Sequence, residues 1–236
     1  MIFIEDDFIL LNLLNVYIKH SDRFLKRLEK YLFRLKRQHL IKQNHEDKLP
    51  FIIMPSHFDL PGIPIILKSG PAFGAGNHPT TIYCLKLLYE LYKDFTQLPE
   101  YVLDAGTGTG ILAIAAARLG TEKVLAIDIS HDAVSTAKHN VTLNHLANIE
   151  VQSLCITEVE GKFDLILANL DETLLKKIYN KLGELLNNKG WLIISGMTVP
   201  NDKVIIPLFL KNGLRLIKNY NKIEWCTAMF RKQLAS

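Results

Sequence analysis

The segment Val102-Leu103-Asp104-Ala105-Gly106-Thr107-Gly108-Thr109-Gly110-Ile111-Leu112-Ala113-Ile114 carries an apolar strand through three alternate glycines and straight into a helix. Glycines let the backbone turn sharply and approach a ligand closely, while the free amides and positive dipole at the helix start favour an anionic or carboxylate-bearing group. The spacing separates ligand classes. A dinucleotide turn, G-x-G-x-x-G, needs glycine at 111, but the chain has Ile111 there and its third glycine comes one residue early. The alternative is a glycine turn that merely packs strand on helix.

With 236 residues the chain has length for one large α/β domain, or for a smaller one with an appendage. A formal net charge of +4 is too small to imply nucleic acid. Its distribution says more, because nine Lys or Arg stand against Asp22 and Glu29 between Lys19 and Lys42, a local +7, leaving −3 for the remainder. Cys84, Cys155 and Cys226 are far apart and form no C-x-x-C pair, which argues against a zinc site or a disulfide framework and for a reducing cytoplasm. The apolar run Phe8 to Ile18 follows Glu5, Asp6 and Asp7, contains Asn12 and Asn15, and is too short to span a membrane, so it reads as a packed helix.

From Asp7 to about Gln43, apolar residues recur at helical spacing (Leu10, Leu11, Leu14, Tyr17, Ile18, then Phe24, Leu28, Tyr31, Leu32, Leu35), predicting one or two amphipathic helices with a basic outer face. That face is read as solvated over a packed apolar stripe, with RNA contact as the alternative. A polar stretch from His45 to Pro50 reads as a linker. The chain thus divides into a basic helical N-terminal extension, residues 1–48, and a second domain, residues 49–236. A helix over Thr81 to Tyr92 precedes short apolar strands near 101–105, 123–128, 149–153, 163–168 and 190–195, separated by helical stretches. Strands alternating with helices predict βαβ units and a doubly wound, mostly parallel sheet. Leu214 to Tyr220 and Lys222 to Phe230 read as an antiparallel edge pair turning at Asn221.

In such a sheet the ligand lies at the carboxyl ends of the central strands. The first delivers the turn with pattern G-x-G-x-G, the form used by S-adenosylmethionine-dependent methyltransferases, making Asp104, Gly106, Gly108 and Gly110 candidate cofactor contacts. The second ends at Asp128, 18 residues after Gly110, where a carboxylate can accept hydrogen bonds from both hydroxyls of an adenosine ribose; a helix cap is the bland alternative. The fourth ends at Asn169-Leu170-Asp171. The Asn169 carbonyl can accept a hydrogen bond from a substrate N–H and aim the nitrogen lone pair at a methyl group, or Asn169 can simply cap the next helix. The small-residue loop from Gly70 to Thr81 adds Phe73, to lie against a sulfonium or adenine, Gly74, for close approach, and Thr81, to bond the amino-acid end of a cofactor. His78 is either a helix-start residue or a titrating group.

The blocks AFGAGNHPTT with Cys84-Leu85, LDAGTGTGILAIAAARLG, AIDIS, FDLILANL, LIISG and Glu224-Trp225-Cys226 together resemble the bacterial ribosomal protein L11 methyltransferase family across roughly residues 50–236. The resemblance implies the class I methyltransferase (Rossmann-like) fold with a seven-stranded sheet. It further implies S-adenosylmethionine as methyl donor and N-methylation of lysine side chains or an α-amine on a ribosomal protein. Thr81, Gly106, Asp128 and Asn169 stand at the family's cofactor-contacting positions, with Asn169 also the candidate catalytic residue. The chain departs from the family in Ala75 and Asn77, where threonines are common, in Thr107 and Ser130, and in its short basic N-terminus in place of an α/β substrate-capturing domain. A methyltransferase acting on RNA or a small amine, and a non-catalytic cofactor-binding interaction protein, are the competing readings. A lysine amine is protonated at neutral pH, and with no dedicated base in the sequence, burial must favour the neutral form.

Overall fold

The computed structural model describes residues 51–54, 63–67, 78–93, 98–222 and 224–234. The expected helices of the 1–48 extension, and Phe73 and Gly74, lie outside these residues. Two short strands, β1 (Phe51–Met54) and β2 (Ile63–Ile66), pair in parallel. From there the chain runs α1 (Pro79–Lys93), β3 (Tyr101–Ala105), α2 (Ile111–Arg118), β4 (Lys123–Asp128), α3 (His131–Leu143) and β5 (Ile149–Ser153). It continues through a 3-10 turn to β6 (Phe163–Asn169), α4 (Glu172–Leu185), β7 (Leu186–Thr198), α5 (Val199–Lys211), β8 (Leu214–Lys222) and β9 (Trp225–Lys232).

Strands β3 to β9 form one seven-stranded sheet in the order β5-β4-β3-β6-β7-β9-β8, parallel up to β7, with β9 antiparallel to both β7 and β8. The doubly wound, mostly parallel sheet expected from the strand and helix alternation is therefore present, in the seven-stranded form that the resemblance implies. Its strands read as continuous apolar runs because both faces are covered. Val102, Val124, Leu165 and Ile193 join the helices α1, α2 and α3 in one core layer, while their chain neighbours Leu103, Leu125, Ile166 and Ile194 join α4 and α5 in the other. All seven residues from Ile111 to Ala117 of α2 are buried, which explains an alanine-rich helix with no polar face. The segment β2 is fastened to this body by Asn144, whose side chain accepts from the Ile66 amide (2.9 Å) and donates to the Ile66 carbonyl (2.7 Å), as a strand neighbour would. Among the described residues no helix is long and apolar enough to cross a membrane.

The edge hairpin departs from its sequence reading. The reversal falls between Lys222 and Trp225, and Asn221 lies inside β8, paired with Cys226. Asparagine favours turns when its amide has no better partner. Here Asn221 Nδ2 donates to Asp202 on α5 (3.3 Å), so tertiary packing overrides the local preference. Strand β7 is likewise longer than expected, because Asn187 at its start donates to Asp164 of β6 (2.7 Å) across an irregular register.

Candidate active site

The chain order reverses direction across the sheet between β3 and β6, the place where doubly wound folds bind ligands. A cavity of about 460 Å³ opens there, at the carboxyl ends of β3, β4, β6 and β7.

Its floor is the glycine turn. Gly106, Gly108 and Gly110 all have positive φ (74°, 54° and 83°), a region that penalises any side chain. The Gly106 and Thr107 amides both donate to the Ile127 carbonyl of β4 (2.9 Å each), and the Gly110 amide to the Thr107 carbonyl (2.8 Å). Asn140 of α3 pins the loop from behind, Nδ2 to the Thr109 carbonyl at 2.8 Å. Asp104 holds it from beneath, accepting from the Thr107 hydroxyl (2.6 Å) and the Ala113 amide (3.1 Å) while itself only 1% exposed. Burial pushes its carboxyl up to about 6 against the lowering effect of those two bonds.

Asp128 closes one side. Its Oδ2 accepts from the Gly108 amide and its Oδ1 from the Ser130 amide, 3.0 Å each. The cap of α3 is Ser130, which accepts from the Ala133 amide, so Asp128 is spared that role and faces the cavity. Ile129 beside it lines the cavity and is 74% exposed.

Asn169 ends β6 on the other side. Asp171 caps α4, accepting from the Thr173 and Leu174 amides, so the capping alternative for Asn169 falls away. Its Nδ2 approaches the Thr81 hydroxyl at 3.4 Å, and its Oδ1 is buried with no hydrogen-bond partner. A buried carbonyl oxygen left unpaired costs on the order of 1–3 kcal/mol, which a donor from a bound molecule would recover. Leu170, next in sequence, wedges between two glycines: a Cβ on Gly106 would stand 2.2 Å from Leu170 Cδ2, and one on Gly196 would stand 2.1 Å from the Leu170 carbonyl oxygen.

Of the residues singled out from sequence, Gly106, Gly108, Asp128 and Asn169 line the cavity together. Asp104, Gly110 and Thr81 do not line it; they lie directly behind the loop and behind Asn169. Sequence reasoning passed over Thr80, Gly196, Cys155 and Trp225, which also line it, and left His78 undecided. Gly196 had a signal, a glycine ending an apolar strand as Gly106 does. Trp225 stood in the Glu224-Trp225-Cys226 block of the resemblance, but nothing local gives a role to a tryptophan that starts an edge strand. The His78 ring meets Trp225 edge to face at 5.0 Å and shares a 2.7 Å hydrogen bond with Thr80. Desolvation lowers its pKa, with the Glu224 carboxylate opposing. At Cys155 the Thr157 hydroxyl donates to the sulfur at 3.1 Å and lowers the thiol pKa.

A family model for ribosomal protein L11 methyltransferase (PrmA) matches residues 48–233. The chain belongs to that family. A ribosomal protein L11 methyltransferase of Geotalea uraniireducens (strain Rf4) is 39% identical over 178 residues, covering 71% of this chain. Because that match takes in only 56% of the relative, the chain spans little more than half its length. The crystal structure of a ribosomal protein L11 methylase from Lactobacillus delbrueckii subsp. bulgaricus superposes with a TM-score of 0.71 at 30% identity, covering 79% of this chain and 96% of that one. The N-methyltransferase NodS from Bradyrhizobium japonicum WM9, solved with S-adenosyl-L-homocysteine, shares the fold at 15% identity, with a TM-score of 0.53 and coverage of 66% and 89%.

Proposed function

We propose that this chain transfers a methyl group from S-adenosylmethionine to an amine nitrogen of a protein, a lysine side chain or an α-amine, with a ribosomal protein as the substrate. The buried, unpartnered Oδ1 of Asn169, a residue that lines the glycine cavity, carries this reading, since an acceptor left without a donor there suits a substrate N–H. Family membership supports it, and an N-methyltransferase of like fold solved with S-adenosyl-L-homocysteine supports the donor.

The donor site is built from main chain. Gly106 and Gly108 let the backbone approach the amino-acid part, and Asp128 retains free lone pairs for a ribose diol beyond the two amides it accepts. Phe73, Gly74 and Thr81 complete the proposed cofactor contacts, with Asp104 and Gly110 holding the loop from behind. The sulfonium supplies an already activated methyl carbon, so alignment and exclusion of water do most of the work. The apolar lining on the Asn169 side, from Leu170, Leu174 and Trp225, disfavours an ammonium and so favours the neutral, nucleophilic amine, with the proton lost to water. Asn169 Oδ1 then holds an N–H and directs the lone pair. Residues 49–236 form the catalytic domain in this reading, residues 1–48 an extension, and the reaction belongs in the cytoplasm with ribosomes.

The test is transfer of labelled methyl from S-adenosylmethionine into a ribosome-containing lysate, followed by protease or ribonuclease. Label removed by protease is the expected result. Label that survives protease but is lost to ribonuclease overturns the protein reading in favour of RNA.

A further inference from the structure

Asn169 aligns an amine through its hydrogens, and these run out. A neutral primary amine has two N–H groups to offer Oδ1 and a monomethylated one still has one, whereas a dimethylated amine has none. Any transfer to a dimethylated nitrogen must therefore be aligned by a different contact. The cavity contains one. Trp225 lines it together with Asn169, and the His78 ring meets Trp225 at 5.0 Å and 68°, holding the indole orientation. In the sheet Asn169 pairs with Ser195 and Trp225 with Thr198, so they flank β7 from opposite sides, about 10 Å apart along the strands and about 10 Å apart across them. Both side chains line the cavity between these backbones, which leaves room for an N-methyl group.

An aromatic face attracts methylated ammonium groups, whose charge is spread over C–H bonds and which are more weakly hydrated than a bare ammonium. The attraction grows as positive charge develops on nitrogen during transfer, so it acts on the transition state more than on the neutral amine. Two neighbours reinforce the same electrostatics. Desolvation disfavours a charged His78 ring that would repel the developing cation, and the exposed carboxylate of Glu224, adjacent to Trp225, contributes negative potential.

Resting on the methyltransferase reading above, we propose that Trp225 is the residue that sets how many methyl groups are added. Asn169 governs the first two transfers and the Trp225 ring governs the third. In each step the amine, already stripped of a proton by water, forms the new N–C bond as the sulfonium C–S bond breaks, and the electron pair stays on sulfur. Trp225 adds no group to this balance; it orients the lone pair and stabilises the charge left on nitrogen.

The experiment resolves unmethylated, mono-, di- and trimethylated product by mass spectrometry, using the full chain, S-adenosylmethionine and a ribosomal protein fraction. Trp225→Leu is expected to accumulate dimethyl product, lowering the third transfer at least ~10-fold more than the first. Trp225→Phe keeps an aromatic face and is expected to retain trimethylation. Equal slowing of all transfers, an unchanged product distribution in Trp225→Leu, or a wild type that stops at one or two methyl groups each overturns the proposal alone. A wild type that methylates no protein overturns the function on which it rests. A readout without turnover is quenching of tryptophan fluorescence by tetramethylammonium. Saturable quenching in the wild type, lost in Trp225→Phe although Trp191 remains, supports the proposal; absence of quenching in the wild type overturns it.

Discussion

At the carboxyl ends of β3 and β4 the cavity wall is mostly main chain, a turn of positive-φ glycines tied to Ile127 and to Asp128. At β7 and β9 it is made of a side chain, Trp225, and of one glycine, Gly196, whose missing Cβ lets the Leu170 backbone pass. The parallel half suits a ligand common to a whole enzyme class, because backbone amides and one carboxylate recognise the same groups whatever the acceptor. The antiparallel edge has side-chain freedom, and in the proposed reaction acceptor discrimination would fall there.

The sharpest way to break this contrast is Gly196→Ala. A Cβ cannot occupy a point 2.1 Å from a backbone oxygen at a φ of +89°, so the substitution is expected to cost about 4 kcal/mol or more in denaturant unfolding. Wild-type stability would show that the Leu170 segment moves freely and that the edge does not constrain Asn169.

Asp104 tests the other half by pH. Its carboxyl is pushed up from 3.8 to about 6 in the folded chain, so the stability this group contributes is complete below 3.8 and is lost as pH rises through 6. Over that window the loss is roughly 3 kcal/mol at one group. Asp104→Asn is expected to flatten that slope in unfolding curves taken between pH 4 and 7, and an unchanged slope would assign it elsewhere.

Kinetics separate the two walls next. Asn169→Ala should lower methyl transfer at least ~100-fold while cofactor affinity, measured by calorimetry, stays within about tenfold. Full activity would remove Asn169 from the mechanism. Asp128→Ala should do the reverse, weakening cofactor binding about tenfold or more with a smaller effect on transfer at saturation. The smallest effect belongs to Gly213→Ala, which shares a positive φ of +77° but has open space for a Cβ, and should cost only about 1 kcal/mol.

What could be read in the sequence followed the range of the interaction. The glycine turn was legible because a positive φ demands glycine on the spot, and the strands because burial on both faces leaves uninterrupted apolar runs. Asn169 was half legible. Its position was clear, but capping and catalysis use the same amide, and only the Asp171 cap of α4 separates them. Asp104, a candidate ligand contact by sequence, lies buried beneath the turn and braces it, a placement only packing decides, since a carboxylate just before a glycine loop can point up or down. The place of Trp225 in the cavity and the true end of β8 were not legible, because each depends on contacts with residues far away in the chain, His78 for one and Asp202 for the other.

By itself, then, the sequence determined the alternating strands and helices, the glycine turn, the acid one strand later and the family resemblance. The strands, helices and glycine turn are set by backbone geometry or by hydrophobic periodicity within a few residues, and the resemblance rests on the ordered blocks themselves. Tertiary structure alone decided that the Asn169 oxygen stays unpaired, that Leu170 threads between Gly106 and Gly196, and that an aromatic pair faces the cavity. Those depend on which strands become neighbours, and strand order is a property of the closed sheet rather than of any segment in it.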